Sequence, residues 1–385
     1  MRLLLYTNIL TPYRRYFYDL IYQQCQASGD VFEVWVMSES EPNRNWSYND
    51  LKTDYTKLLE GRTIVKGEVY LHFNKNLSKQ LKEFAPTVVV CAGSYLCKGI
   101  WKICSLKKRF NYKVVFWSES HLQEHKNYSS LKIKLREWIR KKIYNKFDGF
   151  WIAGKLSEQF VRNYNDSAPI CFLPNLIEEK RYFQVNSFSP DRKKAIRTKY
   201  SVDNDKFLFV CPARLSPVKG IRDFILLFGD SSYKDQATIL IAGDGELKEE
   251  LENLIRSKNV DIKLLGYKNQ EEVIELYSIA DSFLMPSLSD PNPLTSIEAL
   301  WSGLPLLVSS HVGNYPETVR EGENGYVIRY ENPKESIEKI DRLINSSVEW
   351  RTAAKQTSLA IARSVYGSEK KTQGAIKFLK GLANE

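Results

Sequence analysis

Short apolar runs alternate along this chain with longer amphipathic ones. In the first half the apolar runs are Leu3–Tyr6, Phe32–Met37, Thr87–Cys91, Val114–Trp117, Gly149–Ile152 and Ile170–Leu173. Between them, stretches such as Tyr16–Gln24 and Ser78–Phe84 repeat apolar residues at helical spacing. Near-continuous hydrophobic strands separated by helical patterns predict a parallel sheet covered on both faces. At Glu178–Asn204 the chain turns polar and charged, which predicts an interdomain linker followed by a short basic helix. The alternation then restarts with Phe207–Cys211, Thr238–Ala242, Ile262–Leu264, Ser282–Met285, Pro305–Ser309 and Gly325–Ile328, and Tyr366–Leu382 predicts a last helix. The pattern therefore predicts two doubly wound α/β domains, residues 1–185 and 186–365, and a C-terminal helix, 366–385, whose return to the first domain the pattern leaves open. Open parallel sheets bind ligands beyond the carboxyl ends of their strands, so two such domains face to face would line a cleft with post-strand loops.

Composition narrows the class. The 385 residues are 43% hydrophobic and 26% charged, an ordinary globular mixture. No run of about 18 apolar residues predicts a transmembrane helix. The opening MRLLLYTNIL is too brief for a secretory leader and reads as a first strand. The six cysteines form no CxxC pair and suit buried thiols in a reducing cytosol. In that compartment the sequons at Asn45, Asn76, Asn127, Asn165 and Asn345 carry no meaning. The net charge of +10 favours an anionic partner, which could be nucleic acid, a membrane surface or a phosphorylated ligand.

Four post-strand loops carry candidate chemistry. In CPARLSPVKGIRDF, Arg214 and Lys219 flank Ser216-Pro217, a pair suited to starting a helix; these are either two solvated cations on a surface loop or two cations near a helix N-terminus, apt for a diphosphate. ILIAGDGELKEEL places Gly243 and Gly245 after a strand, but Lys248 stands where a dinucleotide fingerprint needs a third glycine, so a strand-to-helix turn is the better reading. LLGYKNQEEV offers Gly266, Tyr267 and Lys268. SDPNPLTSIEALWSG sets Asp290 and Glu298 on either side of a proline-stiffened loop. There Thr295 and Glu298 fit a capping box, which accounts for Glu298 without function and leaves Asp290 unexplained. The only D-x-D, Asp203-Asn204-Asp205, precedes a strand and reads as a turn.

In this order the four loops, with LPNLIEEKRYF at the domain junction, resemble the donor domain of the retaining glycosyltransferases of family 4, the group 1 transferases, over Leu173–Ile328. The resemblance implies the GT-B fold, two Rossmann-like domains facing across a cleft. It implies transfer of a glycosyl group from a nucleoside-diphosphate sugar to an acceptor hydroxyl, with no metal and no cofactor beyond the sugar nucleotide. By the same resemblance Arg214 and Lys219 hold the diphosphate, Glu298 the ribose, Asp290 the donor sugar, the backbone at Leu294 and Thr295 the phosphates, and Gly266, Tyr267 and Lys268 border the base. Two departures stand out. The first acid is Asp, about one methylene shorter than the family's Glu, and Pro291, Asn292 and Pro293 replace its glycines. They predict a donor pocket unlike the family's usual one.

The first half resembles the family mainly in layout. NILTPYRRYF follows the first strand and could present Tyr13 and Arg14 to an acceptor, or could be a helix entry with solvated arginines. WSESHLQEH places Glu119 and His121 at a strand's carboxyl end, where a catalytic or sugar-contacting group could sit. Leu131–Phe147 is a basic helix whose Leu135, Ile139, Ile143 and Phe147 fall four apart; its stripe could face the core or rest on an anionic membrane. The resulting expectation is a cytoplasmic enzyme, either free or peripheral on the inner face of the membrane, that glycosylates a saccharide or lipid-linked saccharide during polysaccharide or glycolipid synthesis. A nucleotide-sugar epimerase of the same fold and a non-catalytic basic binding protein are the alternatives. The basic residues lack the interleaved aromatics of an RNA module, so no nucleic acid is expected.

Overall fold

A computed structural model describes residues 1–41, 47–66, 69–121 and 130–384. The chain divides into two compact units, residues 1–176 with 368–385, and residues 177–367. The first is built on a seven-stranded sheet. In spatial order its strands are Thr56–Leu58, Val31–Val36, Arg2–Thr7, Val88–Ala92, Lys113–Ser118, Gly149–Ile152 and Ile170–Phe172, all paired in parallel. Leu3 lies level with Phe32 on one side and Val88 on the other, so three apolar runs sit in register. The second unit holds a six-stranded parallel sheet in the order Ile262–Leu264, Ala237–Ala242, Phe207–Pro212, Ser282–Met285, Leu306–Ser309 and Gly325–Ile328. The interior strands are buried on both faces, which is why they read as unbroken apolar runs.

All six strands expected in each half are present, their ends moved by at most one residue. The first unit also contains the short strand Thr56–Leu58 and an antiparallel hairpin, Gly61–Lys66 with Val69–Asn74. These escape sequence reading because Ile64 and Val65 are exposed and charges interrupt the pattern.

Three expectations need correction. Residues 178–204 include the expected short basic helix, Pro190–Lys199, but are not a linker. They form helices Glu179–Phe183 and Pro190–Lys199, and Tyr182, Val185, Ile196 and Tyr200 are buried in the second core. Residues 177–185 therefore belong with the second unit rather than the first. The last helix is not one run from Tyr366: Val348–Tyr366 ends at Gly367, whose backbone is extended, and Ser368–Asn384 starts anew. That final helix packs Ala375, Leu379 and Leu382 into the first unit's core, close against Gly149, where an added Cβ would lie 3.0 Å from Leu382 Cδ1. The six cysteines are free thiols, five of them buried.

Candidate active site

In the second unit, three adjacent strands end in loops stitched together by backbone hydrogen bonds. The turn Pro217–Lys219 follows strand Phe207–Pro212, and Val218 O accepts from Leu288 N (2.9 Å) and Ser289 N (3.2 Å) beyond strand Ser282–Met285. Asp290 O accepts from Gly313 N (2.7 Å), beyond strand Leu306–Ser309. Such backbone stitching allows little room at the crossings. At Gly220, in the left-handed region (φ 62°), a Cβ would lie 2.2 Å from Pro286 O, and at Gly313 it would lie 1.9 Å from Pro291 O.

Within this frame Lys219 Nζ meets Asp290 Oδ2 at 2.5 Å, the two side chains only 18% and 15% exposed. The ammonium expected at a diphosphate and the carboxylate expected at a sugar are thus held against each other. Arg214 is exposed at the same strand end and makes no ion pair among the described residues. Its loop is fixed from beneath by the glycines of the neighbouring turn. An added Cβ at Gly243 would lie 1.9 Å from Ala213 O, and one at Gly245 would lie 2.4 Å from Leu215 O. Those glycines serve close backbone approach, in line with the turn reading.

Glu298 departs from its expected local role. Pro293 caps helix Leu294–Trp301 without a side-chain bond, and the Thr295–Glu298 capping box does not form. Thr295 Oγ1 turns instead to Met285 Sδ at 3.7 Å. The Glu298 carboxylate accepts from Tyr182 (2.8 Å) and Tyr277 (2.9 Å), and Tyr182 Oη accepts from Gln270 (2.8 Å). Burial pushes the Glu298 carboxyl above the usual glutamate range, against the pull of the two hydroxyls. Burial first, then Glu298's charge, pushes both tyrosines further up, so they remain donors at neutral pH. Ser216 likewise makes no side-chain cap: only a 3₁₀ turn follows it, and its buried hydroxyl has no partner among the described residues.

Several residues escaped the sequence reading. Asn314, 2% exposed, donates to Pro293 O (3.0 Å), Asn292 Oδ1 (3.3 Å) and Ser296 Oγ (3.0 Å), holding the proline loop from behind. Ser287, fully buried right after its strand, has a hydroxyl without a partner among the described residues. The signal for Asn314 was visible as a polar residue directly after Val312-Gly313; Ser287 carried none. Gly266 takes a left-handed conformation (φ 68°), Tyr267 is 75% exposed, and Lys268 pairs with Glu272 at 3.2 Å. Asp203 Oδ1 accepts from Asp205 N at 3.0 Å, the expected turn.

In the first unit, Thr11 caps helix Pro12–Ala27, with Pro12 in its first turn. Arg14 is not a solvated arginine. Its side chain is 12% exposed, lies 4.9 Å from the Trp117 ring, donates to Thr7 (3.3 Å) and pairs with Glu119 at 3.6 Å. Burial works against its charge, but Glu119, Tyr13 and Tyr18 together outweigh that, so its pKa is raised. Arg14, in the first turn of its helix, thus meets Glu119 just past the carboxyl end of strand Lys113–Ser118. His121 is buried two residues further on and Tyr13 is half-buried; Leu122 to His125 lie outside the described residues. A second cluster, unforeseen, joins Asn8, Glu41, His72 and Thr63 through contacts of 2.8, 3.3 and 2.8 Å. Helix Ser130–Tyr144 divides the expected stripe. Ile143 and Phe147 are buried, but Leu135 is 57% exposed beside exposed Ile133 and Trp138, so the stripe leaves the core toward the helix start. Among the described residues no helix is long and apolar enough to cross a membrane, and no group of three or more His, Cys, Asp or Glu gathers as a metal site.

Residues 192–359 match the family described as glycosyl transferases group 1. The chain is 29% identical over 195 residues to alpha-monoglucosyldiacylglycerol synthase of Acholeplasma laidlawii, covering 45% of this chain and 48% of that one. It is 32% identical over 151 residues to spore coat protein SA of Bacillus subtilis, covering 36% and 39%. The matched part therefore spans about half or less of these curated relatives. Among solved structures, Anabaena HepE with UDP and glucose matches at TM-score 0.70 with 14% identity, covering 99% of this chain and 100% of that one. WaaG, a glycosyltransferase involved in lipopolysaccharide biosynthesis, matches at TM-score 0.64 with 15% identity, covering 99% and 100%. These likenesses bear out the α/β GT-B fold expected from the sequence.

Proposed function

We propose, starting from the glycosyltransferase group 1 domain at residues 192–359, that the chain transfers a sugar, with retention, from a nucleoside-diphosphate sugar to an acceptor hydroxyl. The observation that carries this reading is the Lys219–Asp290 pair at 2.5 Å beside the start of helix Leu294–Trp301. A cation, a carboxylate and a helix N-terminus converge there, as a diphosphate bonded to a sugar requires. When a diphosphate enters, Lys219 and Arg214 turn to its oxygens, and Asp290 is released to accept hydrogen bonds from the sugar. In the step itself the bond from the anomeric carbon to the phosphate oxygen breaks and a bond to the acceptor oxygen forms on the same face. The acceptor proton passes to the departing phosphate. Negative charge grows on the diphosphate, where the fixed cations and helix dipole favour the transition state over the ground state. Those groups supply the positive charge on the leaving group, so the reading needs no metal. Glu298, its carboxylate oriented by two tyrosines, takes the ribose hydroxyls.

The relatives support a donor and an acceptor class. HepE binds UDP and glucose, and the Acholeplasma relative is a glucosyldiacylglycerol synthase. We assign this chain a uridine-diphosphate sugar and a saccharide or glycolipid acceptor for the cell surface. The exposed Ile133, Leu135 and Trp138 on a basic helix favour a cytoplasmic enzyme docked on anionic lipid. Calorimetry with UDP, followed by NMR of the product anomer from UDP-glucose and a glycolipid acceptor, tests the function. Failure to bind any nucleoside diphosphate, or an inverted product, would refute it. Loss of vesicle binding in Trp138→Ala, without loss of UDP binding, tests the docking.

A further inference from the structure

The second unit has a cavity at the end of its parallel strands opposite the candidate site. Ala280 and Asp281 precede strand Ser282–Met285, and Pro305 precedes strand Leu306–Ser309, so the cavity opens at the amino ends, away from Lys219 and Asp290. It measures about 460 Å³, and its charged lining is Lys193, Arg351, Lys355 and Asp281. Asp281 is already engaged by Arg197 at 2.8 Å and by Leu208 N at 2.9 Å. Lys193, Arg351 and Lys355 form no ion pair among the described residues; Arg351 only donates to Ser346 O at 2.5 Å. Three half-buried cations thus share a concave wall with one neutralised acid. Burial and then the charge of Lys355 hold Lys193 below the usual lysine range, and burial alone does so for Lys355.

A neutral donor completes the wall. Ser302 is 4% exposed, lines the cavity, and its hydroxyl has no partner among the described residues. Asn186 adds a partnerless buried Oδ1, an acceptor for a ligand hydroxyl. Beside it the left-handed Gly303 (φ 73°) lets Lys355 lie close, for a Cβ there would sit 3.0 Å from both Asn186 Oδ1 and Lys355 Cγ. We propose that the cavity lined by Lys193, Ser302, Arg351 and Lys355 binds a phosphomonoester. Its dianion would offset the unpaired positive charge of the two lysines and Arg351, the arginine fork and serine hydroxyl suit its oxygens, and Asn186 meets a hydroxyl on the ester. The site is independent of the sugar-transfer reading.

Acetylation of individual lysines in the full chain, mapped by mass spectrometry at constant pH and ionic strength, tests this, with exposed Lys334 as internal reference. Inorganic phosphate should slow acetylation of Lys193 and Lys355 saturably, leaving Lys334 unaffected. Glycerol 3-phosphate should do so at lower concentration. Arg351→Gln and the milder Ser302→Ala should each raise the half-protecting concentration about tenfold, the loss of one hydrogen bond to a charged group. Vesicles of phosphatidate protecting better than glycerol 3-phosphate would mark a lipid headgroup as the source, and the reverse would mark a soluble ester. Protection no greater than with chloride, or equal at Lys334, overturns the proposal.

Discussion

The two units present their polar groups in opposite ways. In the second, the groups expected at a ligand sit on loops held mainly through backbone: glycines pressed on carbonyls, Val218 and Asp290 bonded across loops, and Pro293 O held by the Asn314 side chain. In the first, Arg14 is positioned by side chains alone, a carboxylate at 3.6 Å, a hydroxyl and a tryptophan face. Backbone constraint demands particular residues, because only glycine tolerates a carbonyl at 1.9 Å. Side-chain constraint can be met by many combinations. A site built the first way leaves a recognisable sequence, and one built the second way does not.

Breaking the second unit's pair should have the largest effect. Lys219→Ala should lower the transfer rate by about 10²–10³-fold, as for removal of one transition-state donor, with the melting curve little changed. Initial rates and circular dichroism of the same preparation check it; a rate within a factor of two of wild type contradicts the role. Gly243→Ala tests the backbone argument, since its methyl must displace the Ala213 carbonyl. We expect a loss of about 1–3 kcal/mol in urea unfolding and weaker UDP binding together. Arg14→Gln sharpens the contrast. It should raise the acceptor KM about tenfold while the UDP dissociation constant stays unchanged, a separation that a merely structural arginine would not give.

The smallest effect concerns Glu298. Its raised carboxyl pKa means the fold prefers the protonated form, so this stabilisation is complete below the usual glutamate value and is lost as pH rises through the raised one. Glu298→Gln mimics the protonated form. At pH 7 it should melt about 1–3 °C higher than wild type while binding UDP less well, and near pH 4 the melting difference should vanish. Calorimetric melting at both pH values decides; an equal gap at both would remove Glu298 as the source.

The core strands were legible because burial on both faces leaves uninterrupted aliphatic runs, and the loops of the second unit because close approach requires Gly243, Gly220 and Gly313. The capping box misled because Thr295-x-x-Glu298 satisfies the pattern, whereas Tyr182 and Tyr277 supply better partners from distant segments. Local sequence contains no trace of those hydroxyls. The polar stretch 178–204 misled similarly: its few apolar residues, Tyr182, Val185 and Ile196, are the ones that reach the core. The Asn8, Glu41, His72 and Thr63 cluster spans four separate segments, and no spacing rule could have joined them.

The helix Ser368–Asn384 has a consequence for how the protein is made. The second unit is, in chain order, an insertion into the first, because the first unit's core is closed by Leu379 and Leu382. On the ribosome, residues 177–367 emerge with every strand of their own sheet and can fold at once. The first unit, although translated earlier, keeps the apolar face beneath Leu379 and Leu382 uncovered until the last helix arrives. The older half is therefore completed last, and we expect a nascent-chain chaperone to dwell on it.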